Sequence, residues 1–131
     1  MPISNSTGTA TRAQAQHLEV RSKSYEAAAL AQNEIVEMID VLPGEVVYDV
    51  IVDFDALGST TSISVGDGGS AARFIGTTVT TSAGVGRLNT VEVGRGYKYT
   101  TADTIDLKVV NTGAITGTVV VTVLLMRTFN V

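Results

Sequence analysis

Cysteine and tryptophan are absent from this 131-residue chain, and histidine occurs once, at His17. Without a thiol there is no disulfide framework, no thiolate metal site and no cysteine nucleophile, and the composition suits any redox compartment. Charge is sparse too: Asp, Glu, Lys and Arg make up 17% of the residues, and nine Lys and Arg against thirteen Asp and Glu give a formal net charge of −4. A nucleic acid is therefore not the expected partner, because phosphate binding needs a basic face. No apolar run approaches the roughly 20 residues that span a bilayer, so no membrane partner is expected. Met1, Pro2 and Ile3 lead into Ser and Thr, not into the basic start and apolar core of a secretory signal, and export by that route is not expected.

What remains is 44% apolar, enough for a globular domain, and the length suits a single core. Residues 1–17, MPISNSTGTATRAQAQH, hold almost no large apolar side chain and cannot build a core of their own. They read as an extended arm that orders against a neighbouring molecule, ahead of a domain over residues 18–131.

From Leu18 onward, short alternating apolar segments are separated by Gly, Pro, Asn and Asp, which is the period of half-buried strands. Over Glu45 to Asp55, the alternation puts Val46, Tyr48, Val50, Val52 and Phe54 on one face and Asp49, Asp53 and Asp55 on the other. Asp103 to Val110 repeats it, with Ile105, Leu107 and Val109 inward and Thr104, Asp106 and Lys108 outward, and Ser62 to Val65 is a shorter version built on Ile63 and Val65. Gly117 to Met126 differs in being apolar on both faces, as in a central strand covered by another layer or by a partner. Leu18 to Tyr25, Ile35 to Val41, Phe74 to Thr78 and Arg95 to Tyr99 complete the strands. Turns fall at Leu42 to Glu45, Gly66 to Gly69, Gly84 to Gly86, Gly94 to Gly96 and Asn111 to Gly113. Only Tyr25 to Glu37 has helix-forming composition, in Ala, Leu, Gln and Glu. About eight antiparallel strands with no helix to cover them must bury their faces against each other, which predicts an all-β, single-domain sandwich or jelly roll.

Chemical constellations are weak. His17 has no nucleophile tied to it by a motif, and no GxSxG elbow occurs. Asp49, Asp53, Asp55 and Asp67 are the densest acidic group, and Asp53 and Asp55 share a face where a calcium ion or a glycosidase acid/base pair would be conceivable, but a solvated outer face accounts for them. Gly66-Asp67-Gly68-Gly69-Ser70 lacks the Lys-Ser/Thr that opens the helix of a phosphate loop, so it reads as a turn. Arg95 with Tyr97 and Tyr99 mixes basic and aromatic residues as single-strand nucleic-acid sites do, though a strand entered through a Gly-flanked turn is the default. No catalytic residue, cofactor or metal ligand is assigned.

The order of segments is nevertheless distinctive. LPGEVVYDVIVDFD (Leu42 to Asp55), SISVGDGG (Ser62 to Gly69) and YTTADTIDLKV (Tyr99 to Val109) followed by the Val-rich Gly117 to Met126 resemble the small structural proteins of tailed-bacteriophage virions. In particular, the chain resembles head decoration, or cement, proteins. That resemblance implies a non-enzymatic β-sandwich on the capsid exterior, present in the host cytoplasm during assembly, acting as a dimer or trimer that clamps neighbouring major capsid proteins. The arm would supply contacts through Ile3, Thr7, Thr9, Arg12, Gln14, Gln16 and Arg21. Arg12, Arg21 and Lys23 would suit an acidic capsid surface, and solvated charges explain them equally well. A tail or head-fibre component that binds a host glycan through Gly66 to Ala72 and Gly84 to Arg95 is the alternative, although the chain is poor in aromatics for a sugar site. A wall hydrolase would have to rest on Asp53 and Asp55 alone.

Overall fold

Alternation of apolar and polar residues builds strands along nearly the whole chain, and a computed structural model describes residues 15–88 and 94–129. The strands are β1 (Ala15–Leu30), β2 (Ile35–Val41), β3 (Val46–Phe54), β4 (Ser62–Gly66), β5 (Ile75–Val79), β6 (Gly84–Arg87), β7 (Tyr97–Lys98), β8 (Asp103–Val109) and β9 (Ile115–Phe129). No helix occurs among the described residues. One sheet runs in the order β1-β9-β3-β6, with β7 also paired to β3, and the other runs β2-β8-β4-β5. Every pairing is antiparallel. The chain winds back and forth between the sheets, the connectivity of a jelly roll.

The core lies between the layers. Val119, Val121, Val123 and Leu125 of β9, Val47, Val50 and Val52 of β3, and Ile105, Leu107 and Val109 of β8 are all fully buried. β9 is central, flanked by β1 and β3. Its other row, Val120, Leu124 and Met126, is only half-buried, because no described residue covers the outer face of this sheet.

The stretch of helix-forming composition, Tyr25 to Glu37, is the end of β1, a tight turn and the start of β2, in keeping with the all-strand expectation, and three other expectations need correction. Pairing of Tyr25, Glu26 and Ala27 with Val119, Thr118 and Gly117 overrides the local propensity. Gly84 to Gly86, expected as a turn, lies in β6 and pairs with Val52 to Phe54. A side chain on Gly86 would meet Val52 Cγ1 at 2.9 Å, so glycine here permits sheet closure rather than a bend. On β3 a bulge between Val47 and Asp49 breaks the alternation. Val46 and Tyr48 therefore turn outward, with Tyr48 43% exposed, while Val47 takes the core position. Last, Asp67 and Asp106, both expected on solvated faces, are buried.

Two turns show why particular residues are needed. Gly44 adopts φ +91° in the Leu42 to Glu45 turn, a conformation that side chains resist. Gly66 lies where a Cβ would collide with the backbone of Ser70 and Ala71 as the loop folds back on itself.

Candidate functional site

β1 is an edge strand of unusual polarity. Its pairing with β9 puts Glu19, Arg21, Lys23, Tyr25 and Ala27 in the row that faces the opposite sheet, since their partners Leu125, Val123, Val121 and Val119 are core residues. The outward row holds Leu18 and Val20, which are 56% and 64% exposed. Charge thus points in and apolar surface points out, the reverse of an ordinary sandwich strand. Leu18 and Val20 pair with Met126 and Leu124 of β9, and Val46 of β3 lies on the far side of Met126. Together they form an apolar patch on the outer face, which on a soluble chain marks a contact surface.

The inward charges close the seam between the sheets. The Arg21 guanidinium donates to both carboxylate oxygens of Glu45, at 2.9 and 2.6 Å, and to the Asp40 carbonyl on β2 at 2.8 Å. It also pairs with Glu19 at 3.2 Å, and Arg127 approaches Glu19 and Glu45 at 3.4 and 3.5 Å. Glu45 is wholly buried and takes a further hydrogen bond from the Leu42 amide at 2.8 Å. Burial alone would raise its pKa. The hydrogen bonds from Arg21 and Leu42 and the charges of Arg21 and Arg127 outweigh burial and hold it below the usual carboxylate value. Nothing in the sequence marked Glu45 as more than the last residue of a Pro-Gly turn.

A second buried carboxylate organises the loop after β4. Asp67 Oδ1 accepts from the Gly69 and Ser70 amides, while Oδ2 accepts from Arg73 Nε at 2.6 Å and from the Tyr99 hydroxyl at 2.7 Å. Burial again opposes ionisation, and the donors from Arg73, Tyr99 and Ser70 overcome it, so Asp67 is held below its ordinary value. The Tyr99 hydroxyl, buried and donating to that anion, is pushed well above an ordinary phenol. Arg73 also lies over the Tyr97 ring at 3.9 Å, and Tyr97 meets Tyr99 edge to face at 4.9 Å. These aromatics are occupied within the chain and do not form a base-stacking platform.

Ile3, Thr7, Thr9, Arg12 and Gln14 lie outside the described residues. Gln16 and His17 are on β1, opposite Thr128 and Arg127. Arg21 is committed to Glu45, whereas Lys23 is exposed with no partner among the described residues. Asp49 pairs with Arg87, Asp53 is exposed, and Asp55 accepts from the Thr118 amide, so the three do not converge. Among the described residues no group of three or more His, Cys, Asp or Glu side chains is placed to hold a metal ion. Of the two segments named for glycan binding, Gly66 to Ala72 is tied down by Asp67, and Gly84 to Arg87 is strand. Tyr48 is the one aromatic exposed by more than a third among the described residues.

No family model and no curated protein matches the chain. Solved structures do. The fold is shared with chains of phage capsids. A chain of the capsid of Ralstonia phage GP4 superposes with TM-score 0.72 at 18% identity, over 87% of this chain and 86% of that one. A chain of the capsid asymmetric unit of cyanophage Pam1 gives 0.62 at 17%, over 89% and 86%. A chain of the acid-stable capsid of Helicobacter pylori bacteriophage KHP30 gives 0.64 at 15%, over 90% and 99%. Identities this low establish the fold alone.

Proposed function

We propose that this protein is a phage capsid decoration, or cement, protein, a non-enzymatic part of the virion that binds the outside of the head and stabilises contacts between major capsid proteins. The observation that carries the reading is that its jelly roll matches phage capsid chains over nearly their full length. The outer face of the β1-β9-β3 sheet supports it by presenting Leu18, Val20, Leu124 and Met126 with no cover from the described residues. Residues 1–14 precede β1 in sequence, and the outer face of β1 carries Leu18 and Val20. Body and arm together give the bivalence a clamp needs: once the body docks, linkage raises the arm's effective concentration at a neighbouring subunit. Ordering the arm costs entropy, which many backbone hydrogen bonds to a sheet edge would offset.

The test is co-sedimentation with expanded, undecorated phage heads. Full-length protein should bind saturably, deletion of residues 1–14 should weaken binding while leaving the β-type circular dichroism intact, and Val20→Asp should weaken it through the body. Failure of the full-length protein to bind any such head would overturn the reading.

A further inference from the structure

β1 ends the five-stranded sheet, so one side of its backbone is a row of donors and acceptors with no strand beside it among the described residues. A free edge of this length is a template for another strand. Its regular part runs from Ala15 to Ala27, where the bulge before Leu30 interrupts the register, and the midpoint of that run is Arg21. We propose that β1 pairs antiparallel with β1 of a second copy about a two-fold axis at Arg21, joining the two five-stranded sheets into one.

The charges select this partner and this register. With the axis at Arg21, every residue from Ala15 to Ala27 finds an opposite, and Glu19 falls against Lys23 of the partner subunit, twice by symmetry. Lys23 thereby gains the carboxylate it lacks among the described residues of its own chain. The two Arg21 side chains approach the axis already neutralised, each held by both oxygens of Glu45. Moving the axis one residue to Ser22 sets Arg21 against Lys23 of the partner subunit, and moving it to Lys23 sets the two lysines against each other. Inward-pointing charges on an edge strand ordinarily prevent pairing. Here they disfavour the registers that bring like charges together, and the remaining alternative, an axis at Val20 that sets Glu19 against Arg21 of the partner subunit, pairs fewer residues, Ala15 to Tyr25, and relies on an Arg21 already held by Glu45. On the outer face Val20 lies opposite Ser22 of the partner subunit, so the two apolar patches meet across the axis and remain exposed.

The experiment is sedimentation equilibrium on the full chain, free of any capsid, so its outcome is independent of the cement reading. The wild-type protein should sediment as a dimer. Lys23→Glu and Glu19→Lys each place like charges at both contacts and should weaken association by roughly ten- to a hundredfold. An equimolar mixture of the two variants should recover it, because the heterodimer restores opposite charges at both positions. Since the chain has no cysteine of its own, oxidation reads the register directly: Val20→Cys mixed with Ser22→Cys should cross-link, and Val20→Cys mixed with Ser24→Cys should not. A monomeric wild type, a dimer indifferent to Lys23→Glu, or the opposite cross-linking pattern would each overturn the proposal. Circular dichroism of the variants separates misfolding from dissociation, and the mixing arm, which needs both variants folded, settles any loss seen with either alone.

Discussion

Glu45 and Asp67 keep their charges at buried positions because each is surrounded by donors from parts of the chain that must be in place together. Glu45 gathers Arg21 from β1 and the Leu42 amide from the turn before β3. Breaking such a set strands the cation and the amide, so Glu45→Gln should lower the unfolding free energy by roughly 2–4 kcal/mol in urea titrations at neutral pH, the half-exposed position of Arg21 keeping the loss moderate. The pH dependence follows from the direction of the shifts. Both carboxyls have folded values below their ordinary 4.5 and 3.8, so they contribute stability that is fully present above those values and is lost as pH falls through the depressed folded ones. Asp106 acts in the opposite sense. Burial, with Asp103, Glu37 and Asp67 nearby, raises its value despite the hydrogen bond from Thr104, so its ionisation costs stability above that value and acidification relieves the cost. The test therefore reads the contribution of Glu45 itself, whose carboxylate is the more deeply buried of the two depressed groups. Its contribution should decline on acidification below about pH 4.5, and Glu45→Gln should flatten that decline.

At the scale of elements, the bulge in β3 decides what faces the core. Strict alternation puts Tyr48 inside; the extra residue moves it to 43% exposure and puts Val47 inside. Val47→Ala should cost roughly 1–3 kcal/mol while Tyr48→Ala costs under about 1 kcal/mol in denaturant unfolding, whereas uninterrupted alternation would rank them the other way. Most strands were legible because their apolar residues recur at every second position, as in β8, or because, as in β9, a Val-rich run is apolar on both faces. β6 was hidden, since Gly84, Val85, Gly86 and Arg87 carry turn composition and are held as strand only by pairing with β3. β1 was partly hidden for the converse reason: its Ala-rich end looks helical alone, and its partner β9 lies at the far end of the sequence.

Over the whole molecule, the first and last described strands meet, Ala15 pairing with Phe129 and Tyr25 with Val119, so the sheet of β1 and β3 is not complete until the last strand arrives. β9 lies between β1 and β3, and damage to it removes both neighbours. Val121→Asp puts an unpaired charge at a fully buried site and should abolish the cooperative thermal transition and the β-type circular dichroism spectrum altogether. Such nonlocal pairing also implies slow folding for a domain of this length.

The sequence by itself determined the class of fold. Period-two alternation, turn residues and the lack of helix-forming runs long enough to cover a sheet leave a sandwich as the way to bury the apolar rows. It also excluded a thiolate site, because the chain has no cysteine. Tertiary structure alone decided which charges are spent inside. Arg21, a candidate for outside contact by sequence, is drawn inward by a glutamate 24 positions away. It also decided that Leu18 and Val20, which read as ordinary strand residues, stand on an open face. Alternation states that two rows exist. Which row turns inward on an edge strand depends on partners far along the chain, and here the Glu45 carboxylate and the Asp40 carbonyl draw Arg21 in and leave Leu18 and Val20 exposed.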